Sequence, residues 1–219
     1  MHKKNRMIKG IALFLLLSGC FALLVNPVKH KLVSWMNQHY LKQELTLATV
    51  ERNQQVASTF DYDSIENLDL KTIVKASQKI QDMPIVGKLV IPTAKIDMPI
   101  IKGVSNEGLA VGAVTLAPDQ TMGEGNYTLA GNYLDNSNLL FGPLHQLKKG
   151  QKIYMTDLEM VYIYVMTSSL TVDSKEIPLW DEQIDEKMLT LITCNLTEQQ
   201  RYVLRAKFIE KVPREGFLL

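Results

Sequence analysis

The sequence predicts an all-β barrel with short helical decorations, preceded by a membrane anchor and a helical stalk. Three observations carry this expectation. Short β-rich runs separated by turn residues begin at Pro84 and continue almost to the C-terminus. The last two runs alternate at period two and can close on each other as a hairpin. Gly10 to Val28 contains no charged residue, and at 1.5 Å per helical residue its nineteen positions reach roughly the thickness of a hydrocarbon core.

The hairpin arms are Met188-Leu-Thr-Leu-Ile-Thr-Cys194 and Arg201-Tyr-Val-Leu-Arg-Ala-Lys-Phe208, joined by Asn195-Leu-Thr-Glu-Gln-Gln200. In the first arm Leu189, Leu191 and Thr193 share a face. In the second, Tyr202, Leu204, Ala206 and Phe208 do. If the pair is antiparallel, Cys194 ends one strand where Arg201 begins the next. A guanidinium beside a thiol favours the thiolate, which is the nucleophilic form. The other reading is a small buried core cysteine beside a surface arginine.

The chain has 219 residues, 46% of them hydrophobic, enough for one domain with accessory segments. A net charge of +1 and the lack of a long basic run argue against nucleic acid as a partner. The two cysteines, Cys20 and Cys194, cannot form a disulfide framework, and Cys194 reads as a free thiol.

The basic flank of residues 1–9 precedes the uncharged run of residues 10–28. That order places the N-terminus in the cytoplasm and the C-terminal domain outside the cell, as a single-pass protein of the cell membrane. No small-x-small cleavage site follows the run, as a secretory signal would need. Leu17-Ser18-Gly19-Cys20 resembles a lipoprotein box, but Phe21 to Val25 stay apolar where such a protein turns polar.

Residues 29–83 read as a helical stalk or linker. Val33, Met36, Tyr40, Leu47 and Val50 follow a three-four spacing, and a short helix is expected over Ile65 to Lys79. From residue 84 to 214, strands are expected over Ile85–Ile91, Ile96–Ile101, Tyr127–Ala130, Lys152–Met155 and Val161–Val165, with the two hairpin arms. That makes seven or eight strands in all, followed by a tail of residues 215–219. Helical patches fit Asn106 to Leu109 and Leu139 to Leu147. Ser168 to Lys187 reads as a long charged connection into the cysteine strand, a kind often functional.

Four stretches in order resemble the sortases, and among them class A. Thr190-Leu-Ile-Thr-Cys194 is similar to the family's Thr-Leu-x-Thr-Cys signature, and Arg201-Tyr-Val-Leu to its arginine strand. Met122 to Gly131 resembles the segment leading to the family's histidine, and Asn138-Leu-Leu-Phe-Gly-Pro-Leu144 the loop after it. The resemblance covers about residues 84–212. It implies an eight-stranded barrel that cleaves Leu-Pro-x-Thr-Gly sorting signals of surface proteins between Thr and Gly. Cys194 would form a thioacyl intermediate, and Arg201 would steady the oxyanion or the signal. An amine of the cell-wall precursor lipid II, or of peptidoglycan, would accept the acyl group. Thr193 and Ala130 would lie against the bound signal.

One position departs. Where the family has its histidine, this chain has Asn132, in Leu129-Ala-Gly-Asn-Tyr-Leu134. An amide does not titrate near neutral pH, so it can neither take the thiol proton nor protonate the leaving amine. Arg201 stays protonated and cannot serve as a base. His145, in the Gly142-Pro-Leu-His145 turn, is a poor substitute, and Tyr133 would face away if the strand continues. The chain therefore reads as a transpeptidase impaired at one of three catalytic positions. The alternatives are a module that binds sorting signals without turnover, or a structural lipoprotein processed at Cys20. Some class A sortases use calcium to order the loop before the cysteine strand. Here Asp173, Glu176, Asp181 and Glu182 read as a solvated charged loop, so no metal and no other cofactor is expected. Leu179 and Trp180 could line a signal groove or pack in the core. Asn195-Leu-Thr197 has the form of a glycosylation sequon, without meaning on a bacterial surface protein.

Overall fold

A computed structural model describes residues 16, 27–37, 45–61, 65, 68–134, 138–173, 186–194 and 200–217, with the backbone alone at Cys194. Eight strands close into a barrel: β1 (Ile85–Ile91), β2 (Ile96–Ile101), β3 (Ala113–Thr115), β4 (Asn126–Asn132), β5 (Lys152–Thr156), β6 (Met160–Asp173), β7 (Met188–Cys194) and β8 (Gln200–Pro213). Their order around the barrel is β1-β2-β3-β4-β7-β8-β6-β5. Closure leaves no open sheet edge. The interior is apolar: Leu89, Leu129, Leu191 and Leu204 are all fully buried.

Two strand assignments needed the structure. β3 escapes pattern reading because Ala113, Val114 and Thr115 are all buried and three residues are too few for alternation to show. Ser168 to Asp173, read from sequence as the start of a long connection, instead extends β6. They pair with β8 from Ser168↔Arg205 to Asp173↔Gln200. Ser168, Ser169 and Thr171 are exposed, and these polar side chains conceal the strand. The patch expected over Leu139 to Leu147 becomes a 3-10 turn at Gly142–Gln146, started by Pro143.

The helices are α1 (residues 27–37), α2 (Leu47–Gln54), α3 (Leu70–Lys79) and α4 (Asn106–Val111). Capping sets where three of them begin. The Oγ1 of Thr46 accepts from Thr49 N, Asp69 from Thr72 N at 2.7 Å, and the Oγ of Ser105 from Gly108 N. The bond from Thr72 also holds the Asp69 carboxyl below the usual carboxylate range. α3 therefore starts at Leu70 rather than Ile65.

The stretch read as a stalk does not stand clear of the barrel over its described residues. Val33, Met36, Ile73 and Ala76 are fully buried in the same core cluster as the strands. Asn53 Nδ2 donates to Ile85 O at 2.9 Å, fastening α2 to the first residue of β1. Of the three-four spacing, Val33, Met36 and Val50 are buried, Leu47 is exposed, and Tyr40 lies outside the described residues; sequence alone does not distinguish such a packing stripe from a spacer's. The anchor expected over residues 10–28 lies almost wholly outside the described residues. Among those described, no helix is long and apolar enough to cross a membrane.

A tyrosine cluster closes the barrel end at which β4 starts. Tyr164 Oη accepts from Gly123 N at 2.8 Å, and burial pushes its phenol up to about 12. Burial likewise raises Tyr127 and Tyr162. In each case the folded state holds the proton more tightly than the unfolded chain, whose tyrosines ionise near 10. This contribution is complete below that pH and is lost as pH rises through the folded value. The urea midpoint should therefore fall steadily between pH 10 and pH 12. A midpoint unchanged over that window would show that the cluster is not protected in the folded state.

Candidate active site

β4 and β7 run parallel in unbroken register from Asn126↔Met188 to Asn132↔Cys194. The β7–β8 hairpin is antiparallel, with Ile192 opposite Val203. Beyond that pair, Thr193 Oγ1 accepts from Tyr202 N at 2.9 Å. The β7–β8 ladder goes no further, and on its other side Arg201 pairs with Val172 of β6. Asn132 and Cys194 thus stand side by side on β4 and β7, and Arg201 lies near the start of the next strand, β8, at the same end of the barrel. Sequence reasoning expected Cys194 beside Arg201, a pairing the ladder does not reach, and did not foresee the pairing of 132 with 194, because no short connection joins β4 to β7.

Asn132 is 3% exposed, and its Nδ2 donates to Leu109 O on α4 at 3.0 Å. The carbonyl partner identifies which amide atom is nitrogen, since only nitrogen can donate to it. The Leu109 carbonyl is a neighbour of Asn132 that sequence reasoning missed. The signal for α4 was the Ser105 cap before an Asn-Glu-Gly start, but nothing local says which strand receives the helix. Asn132 O accepts from Phe141 N, and Gly131 lets the Phe141 ring lie directly against β4. A Cβ on residue 131 would meet that ring at 2.7 Å.

Arg201 is half-buried, and its Nη1 donates to Gln200 O at 3.1 Å. Ala130 and Thr193 are almost wholly buried. Ala130 pairs with Val114 on one side and Ile192 on the other. His145 is exposed in the turn after β4, with Nδ1 2.8 Å from Gly142 O. A carbonyl partner requires that nitrogen to carry the proton. Its ring meets Tyr133 edge-on at 6.4 Å. Asp173 ends β6. Cys20, Glu176, Leu179, Trp180, Asp181, Glu182 and the Asn195–Thr197 triplet lie outside the described residues.

A cavity of about 330 Å³ opens at the opposite end of the barrel, between Gln54, Lys102, Gln120, Tyr127, Asp157 and Tyr162. Its polar groups hold the fold. Tyr162 Oη donates to Asp157 Oδ2 at 2.7 Å, and Gln120 bonds both N and O of Thr128. Among the described residues, no group of three or more His, Cys, Asp or Glu side chains could hold a metal ion.

A sortase domain model matches residues 89–209, which include Asn132, Cys194 and Arg201. The chain belongs to the sortase family. Sortases are cysteine transpeptidases that attach surface proteins to the cell wall. This sortase is 31% identical to sortase A of Listeria monocytogenes over 207 residues, covering 94% of this chain and 93% of that protein. It is 30% identical to sortase A of Streptococcus agalactiae over 217 residues, covering 96% and 88%. The crystal structure of the Listeria monocytogenes enzyme superposes with a TM-score of 0.56 at 36% identity, over 59% of this chain and 90% of that one. Sortase E of Streptomyces avermitilis, at 20% identity and a TM-score of 0.54, shares the fold.

Proposed function

We propose that this sortase is of class A and acts on Leu-Pro-x-Thr-Gly sorting signals, with chemistry weakened by Asn132. The observation that carries the proposal is Asn132 in register with Cys194 on adjacent strands, with Arg201 near the start of the neighbouring β8. The Cys194 sulfur attacks the threonine carbonyl carbon and forms a C–S bond, while Arg201 stabilises the charge that develops on oxygen. The Thr–Gly C–N bond breaks, and the glycine amine leaves with a proton. An amine of lipid II or peptidoglycan then attacks the thioester, forming a peptide bond and releasing the thiol. Ala130 and Thr193 shape the strand floor beneath the signal. No metal or other cofactor takes part. The uncharged run at residues 10–28 holds the domain on the outer face of the cell membrane, with the N-terminus in the cytoplasm.

The weak step is proton transfer. The Asn132 amide is committed to Leu109 O and does not titrate, so the departing amine lacks its donor. The same observation favours a second reading, in which the natural chain holds sorting signals without cleaving them.

Intact mass after incubation with a Leu-Pro-x-Thr-Gly peptide tests the proposal. The Asn132→His variant should gain one acyl group, released by hydroxylamine and absent when Cys194→Ala is added. Equal acylation by a peptide of scrambled order would overturn the signal assignment. Peptide binding by the natural chain, with no adduct even in Asn132→His, would favour the second reading.

A further inference from the structure

The described part of helix α1 includes residues 27 and 28, the last two of the uncharged run. Its two faces differ. Val33 and Met36 are fully buried in the barrel's core cluster. Lys29 Nζ donates to Leu68 O, and Asn37 Nδ2 to Val111 O at the end of α4. Val28, Lys31 and Trp35, spaced i, i+3 and i+7, share the opposite face and are exposed, Val28 and Trp35 at 50% each.

The helix rests at the reactive end of the barrel. A small cavity lies between Val33 and Asn37 on one side and Ile96, Met98 and Leu140 on the other. Leu140 immediately precedes Phe141, whose N donates to Asn132 O.

We propose that the outer face of α1, formed by Val28, Lys31 and Trp35, lies against the phospholipid headgroups of the bilayer. The proposal rests on the anchor reading for residues 10–28. A run that leaves the hydrocarbon at Val28 delivers α1 directly into the interface, with no intervening linker. Val28 and Trp35 are about 10 Å apart along the helix, slightly more than the roughly 5–8 Å headgroup layer on one side of a bilayer, so a tilted α1 keeps both within it. The residue types suit that layer. The Trp35 indole has an apolar body and one polar N–H, as residues at membrane interfaces do. Lys31 can run its methylenes along the apolar zone and set its ammonium on lipid phosphates. Because the inner face of α1 is fixed in the core, docking its outer face also fixes the barrel's orientation. The barrel end that carries positions 132, 194 and 201 is then held beside the bilayer surface instead of being raised on a free spacer.

The full chain reconstituted in phosphatidylcholine–phosphatidylglycerol vesicles tests this. The chain has two tryptophans, so Trp180→Phe leaves Trp35 as the reporter. If that variant does not fold, the difference between the natural chain and Trp35→Phe gives the same signal. Lipid brominated near the headgroup should quench Trp35 strongly, and lipid brominated near the bilayer centre only weakly. Carbonate extraction followed by flotation reports the anchor separately. Quenching with carbonate-resistant flotation supports both readings. Quenching in a carbonate-extractable chain supports the surface contact and removes the anchor. Resistant flotation with no lipid quenching overturns the surface contact and leaves the anchor standing, and loss of both overturns both. Concentration-dependent shielding of Trp35 from iodide, without lipid quenching, would instead assign the face to a second copy of the chain and overturn the proposal.

Discussion

Asn132→His is expected to raise kcat on a fluorogenic Leu-Pro-x-Thr-Gly peptide by about 10²–10⁴-fold, the usual worth of a positioned acid–base group. The local geometry favours the exchange. A histidine Nδ1 stands one bond from Cγ, as the asparagine amide nitrogen does, so it can take over the bond to Leu109 O. That bond sets the tautomer and leaves Nε2 as the free acceptor. A readout beyond rate comes with it. Activity of the variant should gain a pH limb near the ordinary histidine range, which no side chain at position 132 of the natural chain can supply. Adding Cys194→Ala should abolish turnover. Equal turnover and equal pH profiles for the natural chain and a folded Asn132→His would sink the account of Asn132 as the missing proton carrier.

Gly87→Ala is expected to cost about 3 kcal/mol of stability, at the upper end of the usual overpacking range. Gly87 lies at an irregularity where β1 meets β2, and β1 also pairs with β5. A Cβ there would run into the carbonyl oxygen of Thr156 on β5 and meet the Met122 methyl at 2.7 Å. The methionine end can swing aside, but the carbonyl belongs to the barrel's own ladder and cannot. Gly125→Ala is the control. Its φ of +48° is costly for a side chain, but no atom lies within 4 Å of its Cβ position, so about 1 kcal/mol is expected. Urea midpoints of the two variants should separate clearly. Comparable midpoints would show that β1 and β5 can part without loss.

Most of the barrel is legible in the sequence, because β-rich runs with turn punctuation announce themselves. β8 shows this best: Leu204 and Ala206 are buried, while Arg205 and Lys207 are more exposed, as their alternation predicts. β3 was not legible, since three residues are too few to show a pattern. The far half of β6 was hidden by Ser168, Ser169 and Thr171, polar residues on a ladder that only β8 completes. The segment of α1 and α2 read as a stalk for a related reason. An apolar stripe at helical spacing shows that something covers it without showing what, and here the barrel does.

The sequence by itself determined the β7–β8 hairpin: two alternating runs with a short connection pair antiparallel, which puts Cys194 at the end of one strand and Arg201 near the start of the next. It also determined that position 132 carries an amide where a titrating ring was expected. Only the tertiary structure decided that Asn132 stands in register with Cys194, and that its amide nitrogen is spent on Leu109 O. The physical reason is one of range. An antiparallel hairpin is set by its own turn and alternation, whereas the parallel β4–β7 pair has no connecting turn to fix it. Its register follows from closure of the whole barrel. Asn132 accordingly has a meaning in the fold that its neighbours in the chain do not supply.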